Sequence, residues 1–128
     1  MDQALTEIQS NISALTIGSP AAKQLQAAWA LANLAVNADN AITIAREGGL
    51  APLIRLLSEG TPAVKKQAAR ALTYLAVNAD NEVTIAREGG IAPLIRLLSE
   101  GTPAAKGQAA QALASLAVNA ANKVPIAQ

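Results

Sequence analysis

The chain repeats itself. "ADNAITIAREGGLAPLIRLLSEGTPA", beginning at Ala38, returns as "ADNEVTIAREGGIAPLIRLLSEGTPA", beginning at Ala79. Gly48-Gly49 recurs 41 residues later as Gly89-Gly90, and Gly60-Thr61-Pro62 recurs at the same interval as Gly101-Thr102-Pro103. Asn78 and Asn81 return as Asn119 and Asn122. A period near 40 is too long for one hairpin and too short for a domain. It is the length of a supersecondary unit that buries its apolar side only against a neighbour of the same kind.

Each unit reads as three helices. A short one spans Asn40 to Arg46, and Asn81 to Arg87, with Asn as N-cap. The glycine pair ends it, because glycine reaches left-handed backbone angles cheaply. "LAPLIRLLSE" or "IAPLIRLLSE" follows, with Pro52 or Pro93 in its first turn, and Gly60 or Gly101 stops it. Thr61 and Thr102 then cap a longer helix with Pro62 or Pro103 at its first position. That helix is expected to end near Val77 or Val118, where "NADN" or "NAAN" breaks it. The second helix is apolar on most of its circumference (Leu53, Ile54, Leu56, Leu57), as a helix between neighbours should be.

Composition agrees. Just over half the residues are apolar, yet there is one Trp, one Tyr and no Phe. Ala and Leu favour helix, and strands favour β-branched and aromatic residues, so an all-α fold is predicted. The chain has no Cys and no His, which removes disulfides, thiol nucleophiles, imidazole bases and Cys/His metal sites. No phosphate-cradling loop is present, and "AREGG" follows no strand. The reading is a protein that is not an enzyme, with no cofactor and no metal. A net charge of +1 gives no electrostatic case for nucleic acid or a membrane surface. With no bilayer-length apolar run and no secretory signal, a cytoplasmic chain is the default expectation. A recombinant product without a native compartment would read the same way.

The opening segment departs from the pattern. Ile12, Leu15, Gly18 and Pro20 align with Ile54, Leu57, Gly60 and Pro62. Leu5, Ile8, Ile12 and Leu15 make a single apolar stripe, as in a capping helix with one packed and one wet face. The long helix after it, Pro20 to Val36, carries one extra residue, placed near Leu25. One domain, 1–128, is expected: a cap and long helix over 1–37, units over 38–78 and 79–118, and the start of another over 119–128.

The unit of short helix, glycine turn, buried helix and long helix resembles the armadillo repeat. "GGLAPLIRLL", "GTPAVKKQAARALTYLAVN" and "WALANLA" from Trp29 to Ala35 carry the resemblance. It implies a right-handed α-solenoid of about three repeats whose long helices line a concave groove for an extended peptide. In that family an Asn on each long helix bonds the peptide backbone, and a Trp one turn earlier packs on the stems of Lys or Arg. Near-identity of the two units and the narrow vocabulary read as a consensus-style or engineered array, or a fragment of a recently duplicated one.

The motif is present once, as Trp29 and Asn33, four residues apart and so on one helix face. The same positions hold Arg70 and Tyr74 in the next unit and Gln111 and Ser115 in the last. Trp29 also has a plainer reading, packing beside the capping helix. None of the long helices contains an acid, whereas Lys23, Lys65, Lys66, Arg70 and Lys106 lie on them. An acidic or neutral peptide therefore suits this face better than a basic one.

A second function class comes from the far end. The last long helix has no obvious cap, so Ala105, Ala109, Ala112 and Leu116 are expected to leave a flat face, with Val124 and Ile126 beside it. Self-association through that face, most simply as a symmetric homodimer, is the alternative to peptide binding.

Overall fold

The computed structural model describes residues 3–16 and 18–127, with side chains described up to 118. It contains eight helices among the described residues: α1 (Gln3–Ala14), α2 (Ala21–Ala35), α3 (Ala38–Arg46), α4 (Leu50–Glu59), α5 (Pro62–Leu75), α6 (Ala79–Arg87), α7 (Ile91–Glu100) and α8 (Pro103–Ala127). The expected all-α architecture is what forms. The long helices α2, α5 and α8 lie side by side; α4 packs on α5, α7 on α8, and α1 covers α2 and α3. One continuous core of Leu, Ile and Ala runs through the row, from Ile8 to Leu116.

The glycine pairs divide their work. Gly48 (φ 85°) and Gly89 (φ 83°) are left-handed. The Gly49 N–H donates to Ile44 O at 2.8 Å and the Gly48 N–H to Ala45 O at 3.1 Å, so the last carbonyls of α3 are satisfied in a Schellman turn. Gly49 itself has ordinary angles and is needed for space. A Cβ there would lie 2.7 Å from Ile44 Cγ2 and 3.2 Å from Ile12 Cδ1. Ile12 of the cap thus seats over the glycine turn of the next unit, and Ile54 does the same over Gly90.

The true N-caps are three residues earlier than expected. Asn37 and Asn78, in extended conformation, accept from the N–H groups of Asn40 and Asn81 at 3.0 Å. Asn40 and Asn81 lie inside the first turn, and Asn81 has a separate task. It is buried, and its Nδ2 donates to Ala41 O of the preceding unit at 3.3 Å. Thr61 and Thr102 cap as expected, accepting from Val64 N at 3.3 Å and Ala105 N at 3.2 Å.

Two other expectations are corrected. The extra residue of the first unit lies in the turn before α2, not near Leu25. Pro20 (ψ 143°) stands at the N-cap instead of the first helical position, and Gly18 (φ 104°) bends the chain ahead of it. The break at "NAAN" is also absent, since α8 runs on to Ala127. Where the preceding unit has Asp80 and Glu82 in the first turn of α6, this one has Ala121 and Lys123. The acids that favour a helix start are lost, and alanine continues a helix better than any other residue.

Candidate functional site

The shared face of the long helices carries the sequence-predicted residues. Trp29 is 53% exposed although it is the largest side chain in the protein. At that exposure Trp29 is not part of the buried core. Asn33, one turn on, is exposed beside it. On α5, Arg70 and Tyr74 repeat the spacing, and the Arg70 guanidinium carbon lies 5.6 Å from the centroid of the Tyr74 ring. Tyr74 is half-buried because its ring closes an apolar cleft of ≈ 320 Å³ with Ala35, Val36 and Val77.

The structure joins the two units through these positions. Arg70 Nη2 donates to Asn33 Oδ1 at 2.6 Å, and its Nη1 donates to Gln67 Oε1 at 3.2 Å. Gln111 is exposed and Ser115 half-buried on α8, and no hydrogen bond ties either to the cluster. Gln67 was not among the expected site residues. Its signal is in the repeat itself, since Gln26, Gln67 and Gln108 recur at the 41-residue interval.

The second expected surface is different from what forms. Ala105, Ala109, Ala112 and Leu116 are all buried, because this side of α8 is the one that receives α5 and α7. Val124 and Ile126 lie outside the residues whose side chains are described. The open apolar face of the last unit is instead on α7. Ile95 is 53% exposed and Leu98 38%, whereas their counterparts Ile54 and Leu57 are 7% and 2%.

Residues 37–77, one whole unit, match the family model described as Armadillo/beta-catenin-like repeat. The fold is an armadillo-type α-solenoid. Solved structures agree along most of the armadillo array. An engineered protein superposes with a TM-score of 0.80 at 31% identity, over 84% of this chain and 44% of its own. A designed armadillo repeat protein in complex with the peptide (KR)4 superposes at 0.79 and 26% identity, over 84% and 46%. Computationally designed armadillo repeat proteins for modular peptide recognition give 0.79 and 25%, over the same shares. The chain spans less than half the length of these structures. No curated protein matches it. No described helix is long and apolar enough to cross a membrane.

Proposed function

We propose that the chain is a non-catalytic interaction scaffold that takes an extended peptide along the concave face of α2, α5 and α8. The observation that carries this reading is Trp29, a large apolar side chain left more than half exposed beside Asn33. An aromatic face holds aliphatic stems and cations, and an amide serves the unpaired groups of an extended backbone. Two similar structures are designed armadillo proteins described by their peptide binding, one with (KR)4 bound. With two nearly identical units of its own, this chain reads as an engineered array of the same kind.

Its peptide differs from (KR)4. The long helices bear Lys23, Lys65, Lys66, Arg70 and Lys106 and no acid before residue 118, so the face favours acidic or neutral segments. The test is a peptide titration followed by Trp29 fluorescence and by calorimetry. Trp29→Ala should weaken calorimetric binding by about tenfold or more, the usual cost of truncating an aromatic anchor. Binding unchanged in that variant would contradict the reading.

A second reading is favoured by the open face of α7. Ile95 and Leu98 match residues that are covered one unit earlier, and a second copy of the chain would cover them symmetrically, forming a homodimer. Light scattering over a concentration series should then show mass rising with concentration, and Ile95→Lys should abolish the rise. A constant monomer mass contradicts this second reading.

A further inference from the structure

We infer that Arg70, Asn33 and Gln67 form a carboxylate clamp, so that the peptide is anchored through an acidic group at the junction of the first two units. The inference rests on the peptide-binding reading and sharpens it. An asparagine on such a face would ordinarily offer a ligand both its carbonyl and its amide N–H groups. Here one lone pair of the carbonyl is already engaged. Arg70 donates to Asn33 Oδ1 at 2.6 Å and to Gln67 Oε1 at 3.2 Å, which orients both amides. Their oxygens face the guanidinium, which leaves their NH₂ groups for other partners. Among the described residues neither amide nitrogen has a hydrogen-bond partner.

The result is a patch in which free donors outnumber free acceptors. Two amide NH₂ groups flank a guanidinium with N–H groups to spare, and the Tyr74 ring lies 5.6 Å below it. Among the described residues no carboxylate is hydrogen-bonded to Arg70. A peptide backbone, which alternates donors and acceptors, matches such a patch only in half of its groups. A carboxylate matches all of it, because it accepts at both oxygens and fits the planar fork of arginine. Held by Asn33 of the preceding unit and by Gln67 of its own helix, the guanidinium is already oriented before a ligand arrives, which lowers the entropy cost of binding.

The probes are acetylated, amidated octapeptides alternating glycine with glutamate, glutamine or lysine, together with the glutamine peptide bearing a free C-terminal carboxylate. Affinity is measured by calorimetry, and the Arg70 Nε resonance is followed by NMR. The glutamate peptide should bind more tightly than the glutamine peptide, and the lysine peptide should bind least. Arg70→Met should remove the glutamate advantage, a loss of about tenfold to a hundredfold for a hydrogen-bonded charge pair. Arg70→Lys, which keeps the charge but not the fork, should lose most of it too. A gain from the free C-terminus alone would assign the carboxylate to a chain end, and a gain from glutamate alone to a side chain; either supports the clamp. If the glutamine peptide binds as well as the glutamate peptide, or if Arg70→Met keeps the difference, the clamp is wrong and peptide binding stands. If none of the peptides binds, both readings fall together.

Discussion

At the scale of single residues, glycine serves two purposes in this chain and at a third place serves neither. Gly48 is required by its backbone angle, with open space where a side chain would go, and Gly49 is required by the space that Ile44 and Ile12 occupy. Gly107 is required by neither, since a Cβ there meets nothing within 4 Å and the residue lies inside α8. Gly107→Ala should therefore stabilise the protein by about 1 kcal/mol, the difference in helix propensity. Gly49→Ala should destabilise it by about 1–3 kcal/mol through overpacking. Chemical denaturation of both variants checks the pair, and the same sign for both would refute the division. The left-handed turn was legible in the sequence because a double glycine after a short helix has few other uses. The steric role of Gly49 was not, because it depends on Ile12, which reaches it from a different unit. The same holds at the site. Trp29 and Asn33 are candidates through the armadillo resemblance, whereas the bond from Arg70 to Asn33 crosses between units and no single unit encodes it.

At the scale of elements, helix ends decide where the units divide. Asn37 and Asn40 are both plausible caps in sequence, and only Asn37 accepts a first-turn N–H. Asn37→Ala should cost about 1 kcal/mol and Asn40→Ala only a few tenths, measured as shifts in the denaturation midpoint. Equal costs would contradict the assignment. The Asn81 contact to Ala41 O gives the second asparagine of the pair a task other than capping. An asparagine that staples one unit to the previous one looks, in sequence, like an asparagine that starts a helix. The continuity of α8 has a related cause. "NAAN" keeps both asparagines of the pattern but has lost the acid between them, and the asparagines alone do not break the helix.

At the scale of the whole molecule, the 41-residue period made the stacked arrangement legible, because the buried second helix must lie between others. It did not make the sides of the long helices legible. The stripe of Ala105, Ala109 and Ala112 was read as an open face and is the surface on which α5 sits, since small residues mark close approach without saying from which side. On α7 the exposed apolar residues include Ile95 and Leu98, whose covered twins one unit back show what stacking does to them. The central claim is that the face of α2, α5 and α8 is the working surface. Backbone amide shifts recorded while the glutamate–glycine peptide is added test it most directly. The account predicts that perturbations centre on Trp29, Asn33, Gln67, Arg70 and Tyr74 and leave the Ile95–Leu98 side unmoved. Perturbations confined to α7, or none anywhere at saturating peptide, would contradict it.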